Sequence, residues 1–263
     1  MTMRRITDIQ ELRGVQLGIL DDIHAFCVDN GIRYFLACGT LIGAVRHKGY
    51  IPWDDDIDLY MPRDDYERFI NEFKSVSGNC RVLDPKKEKH YCYTFAKVVD
   101  KRTLLIESGV ENYQIGVYAD IFPVDYVTDN MAARRRLFWL KRLLYKIRKC
   151  KTSPRNYLKS ALAFWCYRLL PIPVGALDRL LRRMTVRRKP TSTVANLSEA
   201  GPAAKSCMPV EDIEGSVDIL FEGKMYKTMA GYKDYLKRTY GDYMTLPPVE
   251  QRTTHSFEAY WTD

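Results

Sequence analysis

The stretch from Gly39 to Tyr66, GTLIGAVRHKGYIPWDDDIDLYMPRDDY, constrains the fold more than any other part of this chain. It follows an apolar run, Tyr34 to Cys38, that predicts a buried strand. A Gly-Thr pair comes next, and Leu41 to Arg46 then has helical spacing. A second apolar, β-prone run begins inside the acidic cluster. The stretch therefore predicts a strand, a glycine turn, a helix and another strand in direct succession.

Four aspartates occupy five positions at the start of the second strand: Asp54, Asp55, Asp56 and Asp58. Residues two apart on a strand point to one face about 6 to 7 Å from each other, so Asp56 and Asp58 project together. Neighbouring carboxylates raise each other's pKa unless a cation compensates. We therefore favour a divalent-cation site over an acidic surface turn. Asp54 and Asp55 could complete that site or support it from outside, and the sequence does not rank them.

Gly39 and Thr40 stand between the first strand and the helix. A turn there offers backbone N–H groups and a hydroxyl to a phosphate. The segment as a whole can thus hold a divalent metal against a phosphate group.

The order of these parts resembles the nucleotidyltransferase superfamily, and the residues resemble the LicD family of phosphocholine and related phosphoalcohol transferases more closely. Two further stretches are similar to that family: ADIFPVD from Ala119 to Asp125, and YGDYMTLPPVEQRTTH from Tyr240 to His255. The resemblance implies an α/β fold of the α+β type, in which helices flank a nucleotidyltransferase-like mixed β-sheet.

The resemblance also implies the site. Asp120, between Ala119 and Ile121 on a predicted strand, would join Asp56 and Asp58 as the third catalytic and metal-binding carboxylate. Such a set can hold two ions, and oxygen ligands favour Mg²⁺ or Mn²⁺. Asp120 is also our candidate general base. The residues that would bind the substrate or nucleotide are Gly39, Thr40, Arg46, His47, Lys97, Arg252 and His255.

Structural alternatives remain open for several of these residues. Asp120 could be a strand-end aspartate satisfied by backbone donors. His47 could be a loop histidine stacked on Tyr50 or Trp53, and Lys97 could be an edge-strand lysine. Arg252 and His255 could belong to an ordered tail with surface ion pairs.

The expected reaction moves phosphocholine, or another phosphoalcohol, from a CDP-alcohol to a sugar hydroxyl of a cell-surface glycan and releases CMP. CDP-choline is the favoured donor. Choline would require aromatic faces, and the candidates near the site in sequence are Trp53, Tyr91, Tyr93, Tyr113 and Tyr118. Transfer of a nucleotide is the alternative chemistry. A catalytically silent basic scaffold that binds membranes or nucleic acid is the non-enzymatic alternative.

Positive charge is concentrated in one segment. Residues 131–190 contain 18 lysines and arginines against a single acid, Asp178, whereas the whole chain carries a net charge of +8. Leucines at helical spacing within this segment predict basic amphipathic helices. They could dock on the core with a solvated face, or lie on an anionic membrane beside a lipid-linked acceptor glycan. Nucleic acid is the least favoured partner, because no recognised motif accompanies the charge.

The predicted domains are a catalytic core (1–130), a basic helical insertion (131–195) and a C-terminal segment that completes the core and the donor site (196–263). No run of 18 apolar residues and no signal-peptide pattern is present, so we expect a cytoplasmic protein. It would be peripheral at the inner face of the cytoplasmic membrane if the basic helices contact lipid. The seven cysteines form no C-x-x-C pair, which favours reduced thiols over zinc ligands or disulfides.

Smaller patterns predict the remaining elements. Thr7 with Gln10 resembles a capping box for an amphipathic helix that Gly31 ends. Helices are also predicted over 63–74 and 232–240, and strands over 81–83, 93–99, 103–107 and 117–124.

Overall fold

The computed structural model describes residues 3–84, 86–88, 91, 93–107, 115–152, 159–186, 189–198, 207–252, 254 and 257–262. Its helices are α1 (Ile9–Asp29), α2 (Cys38–His47), α3 (Arg63–Glu72), α4 (Met131–Thr152), α5 (Ala161–Leu169), α6 (Val174–Thr185), α7 (Glu211–Glu214) and α8 (Tyr232–Tyr240). Its strands are β1 (Met3–Ile6), β2 (Phe35–Leu36), β3 (Asp58–Pro62), β4 (Cys80–Leu83), β5 (Ala96–Asp100), β6 (Thr103–Glu107), β7 (Tyr118–Val127), β8 (Thr193–Asn196), β9 (Cys207–Pro209), β10 (Ser216–Phe221), β11 (Lys224–Met229) and β12 (Phe257–Thr262). The predicted fold class is confirmed, because helices and a mixed β-sheet together make an α+β fold.

The chain forms two compact units. The first combines Met1–Pro123 with Glu211–Asp263, and the second is Val124–Val210. The predicted insertion, 131–195, lies within the second unit. Its assignment as a domain separate from the catalytic core stays a prediction.

The main sheet of the first unit has the order β2-β3-β7-β5-β4, in which β7 contributes its first residues. β5 and β7 are antiparallel and place Lys97 opposite Asp120. α1 turns an apolar side inward, and Ile19, Leu20 and Ile23 are fully buried on it. The segment that carries the aspartates leads into β3 of this sheet and is held in place by these strands and by α1.

Two smaller β structures complete the first unit. β12 lies between β1 and β6 and is antiparallel to both. β10 and β11 form a hairpin, and Glu222 and Gly223 at its tip both have positive φ. Positive φ at both central residues is the geometry of a tight hairpin turn that matches the twist of the strands.

The second unit joins three helices to the end of β7. There β7 pairs with β8, and β8 pairs with β9. Apolar residues of α4 and α6 form one core cluster, which consists of Leu144, Ile147, Leu177 and Leu181. Arg148 is buried and forms an ion pair with Asp178, the single acid of the basic segment.

The predicted basic helices are therefore present as α4, α5 and α6. Within the described part of the chain, no helix combines the length and the apolar character that a bilayer crossing requires.

Most predicted boundaries agree with the structure, and one cap does not. α8 has the predicted bounds, and α1 ends just before Gly31, whose φ is +60°. The cap of α1 is Asp8 rather than Thr7, because the Asp8 carboxylate accepts the N–H of Gln10 at 2.9 Å. The prediction of the cap was thus wrong by one residue.

Candidate active site

The Gly-Thr pair lies inside the first turn of α2, which begins at Cys38. Thr40 is buried, and its hydroxyl accepts the backbone N–H of Asp58 at 2.9 Å. The backbone N–H of Ala37 donates to the Asp58 carbonyl at 3.0 Å. The start of α2 therefore fixes the start of β3, so that the predicted phosphate-binding turn and the D-x-D strand are held together.

The acidic cluster is compact. Asp54, Asp55 and Asp56 each offer a carboxylate oxygen, and these oxygens lie within 4.8 Å of one another. Asp55 is buried, and the other two are half-buried. Gly39 lies against this cluster, since a Cβ at that position would be 2.6 Å from Oδ2 of Asp54. The glycine thus leaves room for the carboxylate beside the N-terminus of α2.

Two polar residues of α1 shape the loop that carries these aspartates. Nη2 of Arg13 donates to the carbonyls of Ile51, Pro52 and Asp54 at 2.9, 3.1 and 2.8 Å. Nε2 of Gln16 donates to the Asp55 carbonyl at 2.7 Å. The sequence analysis missed both residues, although polar side chains among the apolar positions of a helix were a signal for them.

The hairpin tip supports the same loop from another direction. Glu222 accepts the backbone N–H of Tyr50 through Oε1 at 2.9 Å, and its own N–H donates to the Lys48 carbonyl at 2.9 Å. A Cβ at Gly49 would lie 2.1 Å from Oε1 of Glu222, so this approach requires glycine. Glu222 was also missed, because nothing local in the sequence connects it to this loop.

Asp120 lies on β7, directly beside the D-x-D strand. Its backbone N–H donates to the carbonyl of Ile57, the residue between Asp56 and Asp58, at 2.8 Å. The sheet therefore places the backbone of Asp120, the third predicted residue, beside the segment that carries Asp56 and Asp58.

Lys97 pairs with Asp120 inside the protein. Its Nζ lies 2.6 Å from Oδ1 of Asp120, and the two side chains are 1% and 11% exposed. The ammonium also lies 3.3 Å from the ring centroid of Tyr118 and 4.3 Å from that of Tyr93. The carboxylate and the aromatic faces thus offset the cost of burying a lysine among apolar strand residues.

Arg46, His47 and Arg252 form the basic part of the site. Nε of Arg46 donates to Nε2 of His47 at 2.9 Å, and Nη1 of Arg46 donates to the Tyr243 carbonyl at 2.9 Å. Arg252 stacks over the ring of Trp53 at 4.4 Å. Burial lowers the pKa of Arg46, and the positive charge of Arg252 lowers it further. An anion close to both guanidinium groups would offset this repulsion.

The surroundings of His47 lower its pKa and thereby favour the neutral ring. Burial lowers its pKa first, and the charge of Arg46 adds to this effect. Since Nε2 accepts a hydrogen bond from Arg46, the ring proton belongs on Nδ1. The structure thus connects His47 to the orientation of Arg46. His255, the last of the predicted binding residues, lies outside the described residues.

The aromatic candidates for a choline site are largely engaged by protein cations. Tyr93 and Tyr118 face Lys97, and Trp53 faces Arg252. Tyr91 packs on Tyr93 with ring centroids 5.3 Å apart, and Tyr113 lies outside the described residues.

A second group of tyrosines, which the sequence analysis did not single out, lies near the start of α2. Cys38 has a φ of +48°, and its Sγ lies 3.4 Å from the Tyr60 hydroxyl. The hydroxyl of Tyr235 is 3.4 Å from that of Tyr60. Tyr240 is 42% exposed over the whole residue, yet removal of its hydroxyl from water raises its pKa, and Cys38, Tyr235 and Asp58 raise it further. These phenols are therefore neutral donors close to Asp58.

The donor set fits a divalent cation. Asp54, Asp55 and Asp56 supply only oxygen, which suits Mg²⁺ or Mn²⁺ better than a softer metal. Of the predicted metal ligands, only Asp56 belongs to this compact group. The other two members, Asp54 and Asp55, are the aspartates whose roles the sequence left open.

Comparison with known proteins identifies the family. The model of the LicD/FKTN/FKRP nucleotidyltransferase domain matches residues 31–161. The lipopolysaccharide cholinephosphotransferase LicD of Haemophilus influenzae is 33% identical over 267 residues, which is 98% of this chain and 99% of that protein. This chain belongs to the LicD family. As a LicD-family protein with a match over nearly its whole length, it is a phosphotransferase, and the scaffold alternative is not supported.

Other LicD-family relatives match shorter parts of the chain. Human ribitol 5-phosphate transferase FKRP is 34% identical over 100 residues, which cover 38% of this chain and 15% of FKRP. An uncharacterized protein of Rickettsia typhi, RT0683, is 37% identical over 129 residues, which cover 48% of this chain and 38% of that protein.

Proposed function

We propose that this protein transfers phosphocholine, or a closely related phosphoalcohol, from a CDP-alcohol to a sugar hydroxyl of a cell-surface glycan and releases CMP. The similarity to the Haemophilus influenzae cholinephosphotransferase over 98% of this chain carries the proposal. Phosphocholine is favoured over ribitol phosphate because the match to the ribitol 5-phosphate transferase covers only 38% of the chain.

The donor's diphosphate would bind between the basic and acidic parts of the site. Arg46 and Arg252 can contact its oxygens, and His47 holds Arg46 in place through their hydrogen bond at 2.9 Å. The N-terminus of α2 at Gly39 and Thr40 adds backbone N–H groups with a favourable helix dipole. An anion here would relieve the repulsion that lowers the pKa of Arg46.

The aspartates would hold Mg²⁺ or Mn²⁺ beside that diphosphate. Asp54, Asp55 and Asp56 form the compact oxygen group, and Asp58 and Asp120 extend it along the neighbouring strands. A bound divalent ion neutralises charge on the phosphates and on the departing nucleotide.

Asp120 is the proposed general base. It would take the proton of the acceptor hydroxyl while the new sugar O–P bond forms and the bond from that phosphorus to the CMP oxygen breaks. Lys97 fixes Oδ1 of Asp120 at 2.6 Å and thereby orients the carboxylate. Lys97, with 1% of its side chain exposed, acts in this scheme as a positioning residue rather than as a direct phosphate ligand.

The test is turnover of purified protein with Mg²⁺ or Mn²⁺, a glycan extract and a panel of CDP-choline, CDP-ethanolamine, CDP-glycerol and CDP-ribitol. We expect CMP release with one alcohol that requires the acceptor. Asp58→Asn should lower the rate by about 10²-fold or more. Asp64→Asn is the matched control, because Asp64 lies in the same stretch but is exposed on α3, and it should retain full rate.

Nucleotide transfer is the second candidate, since the matching family domain is described as a nucleotidyltransferase. Mass spectrometry of the glycan product separates the two reactions. A phosphoalcohol on the glycan supports the proposal, whereas a nucleotide on the product, or turnover of CTP or ATP alone, contradicts it.

A further inference from the structure

Helix α5 exposes an apolar side. Leu162, Trp165 and Leu169 are 77%, 49% and 74% exposed, and the exposed Cys166 lies among them. These residues have the spacing i, i+3, i+4 and i+7, which places them on one side of a helix. We call these four residues the α5 stripe.

The opposite side of the same helix belongs to the interior of the second unit. Phe164 is 1% exposed, and Tyr167 and Leu170 pack against the cluster of Leu144, Ile147, Leu177 and Leu181. Lys151 donates to the carbonyls of Arg168 and Leu170 at 3.0 and 2.7 Å and so caps the end of the helix. α5 is thus firmly attached to this unit. The exposure of its apolar outward side is therefore a feature of the folded unit and is not caused by a loose helix end.

The three helices of this unit expose many cationic residues as well as apolar ones. Residues 131–190 carry 18 lysines and arginines against one acid, and that acid already pairs with Arg148. Exposed cations of the three helices and their flanks include Arg135, Arg136, Arg142, Lys146, Lys159, Arg168, Arg179 and Arg183. Trp139 on α4 is also 66% exposed.

We propose that the α5 stripe inserts into the headgroup region of a bilayer that contains anionic phospholipids, while the surrounding lysines and arginines bind the headgroups. A tryptophan with leucines on one side and a cationic surrounding is the composition of an interfacial membrane helix. A second copy of this protein is a poor partner, because two strongly positive surfaces repel each other. Nucleic acid is also a poor partner, because it would pair with the cations but leave the leucines of the stripe exposed to water. The inference is independent of the proposed reaction, and it would bring the enzyme to lipid-linked acceptors.

Co-sedimentation of the full chain with vesicles tests this surface. We expect binding to vesicles of phosphatidylglycerol and phosphatidylethanolamine, little binding to phosphatidylcholine alone, and weaker binding at high salt. The double variant Leu162→Ser/Leu169→Ser should lower the bound fraction at least several-fold. Vesicles should shift the tryptophan fluorescence of the parent protein to the blue. This shift should be absent in Trp165→Ser, which would assign it to Trp165.

The matched control is Val28→Ser/Val76→Ser, because both valines are apolar, 53% and 68% exposed, and outside the basic segment. It should bind vesicles as the parent does. Circular dichroism and thermal unfolding should be the same for all of the variants, and turnover of a soluble acceptor should be unchanged.

Equal vesicle binding by the two double variants would overturn the proposal, and so would absence of binding to anionic vesicles. Loss of self-association or of DNA-oligonucleotide binding in the stripe variant, with vesicle binding intact, would also overturn it by assigning the stripe to another occupant. Since vesicle binding is measured without substrate, failure here does not affect the proposed reaction.

Discussion

Lys97 shows how one buried charge can hold a carboxylate, here that of Asp120, the proposed general base. Moving an ammonium out of water is costly unless a partner compensates. The Asp120 carboxylate and the rings of Tyr118 and Tyr93 provide that compensation at 2.6, 3.3 and 4.3 Å. The lysine is therefore tied to its position, and Asp120 is tied to the lysine.

Lys97→Met should leave Asp120 as an uncompensated buried charge. We expect the free energy of unfolding to fall by roughly 3 kcal/mol, measured by urea denaturation. Turnover should fall as well, since the carboxylate loses its orientation.

The double variant Lys97→Met/Asp120→Asn is the control for that pairing. It removes both charges, so it should be destabilised by less than the sum of the two single variants. Additive losses would show that the pair is not coupled.

At the residue scale, the sequence predicts what is local. Asp56 and Asp58 stand out in the sequence as a D-x-D pair, but β3 begins only at Asp58 and Asp56 lies just before it, so strand spacing does not describe both residues. The contact of Lys97 with Asp120 depends on the register of β5 against β7, which no short pattern specifies. Both residues were predicted for the site, yet their pairing required the fold.

At the element scale, α1 acts as a support for the acidic loop. Arg13 and Gln16 lie one turn apart and together bind four carbonyls of that loop, those of Ile51, Pro52, Asp54 and Asp55. The guanidinium of Arg13 also lies 4.7 Å from the ring centroid of Tyr50. A helix far from the aspartates in sequence thus determines where they point.

Arg13→Lys should disturb this loop while it keeps the charge. The lysine side chain is one bond shorter and has no planar group to lie over Tyr50, so its nitrogen would not reach the position from which Nη2 of Arg13 donates to three carbonyls. Hydrogen bonds from charged donors contribute about 1.5–3 kcal/mol each. We expect a loss of about 2 kcal/mol in unfolding free energy and a several-fold higher Mg²⁺ or Mn²⁺ concentration for half-maximal turnover.

Arg33→Lys is the comparison for Arg13. Arg33 pairs with Asp65, but 48% of its side chain is exposed, and such pairs contribute at most about 1 kcal/mol. If both variants changed the metal requirement equally, the special role of Arg13 would be refuted.

Elements themselves were more predictable than their connections. The alternation of apolar residues predicts α1, α3, α8 and most strands of the first unit. The Gly-Thr pair was predicted as a turn before a helix, yet both residues lie within α2. A helix can begin there because Cys38, with a positive φ, turns the chain directly out of β2.

At the scale of the whole molecule, two half-buried histidines connect stability to pH. Burial lowers the pKa of His24, with a further effect of Lys227, and burial and Arg46 lower that of His47. The unfolded chain therefore binds more protons near its ordinary histidine pKa of about 6.5. This contribution to stability is complete above that pH and is lost as the pH falls through the folded-state values.

Unfolding free energy should accordingly decrease between about pH 7.5 and 5.5, as measured by urea denaturation across that range. His24→Gln should decrease less steeply, because one of the two titrating groups is gone. Above pH 7.5 the two curves should run parallel. Identical slopes below pH 6.5 would mean that His24 does not contribute.

The position of β12 has a consequence for the order of synthesis. This strand is translated last of all the elements, yet it lies between β1, which is translated first, and β6. Its pairs join residues as distant as Met3 and Thr262. On the ribosome, the sheet of β1 and β6 must wait for its middle strand, whereas Val124–Val210 is continuous and can fold earlier. Contacts of such long sequence separation form slowly, so this three-stranded sheet should form only after β12 has left the ribosome.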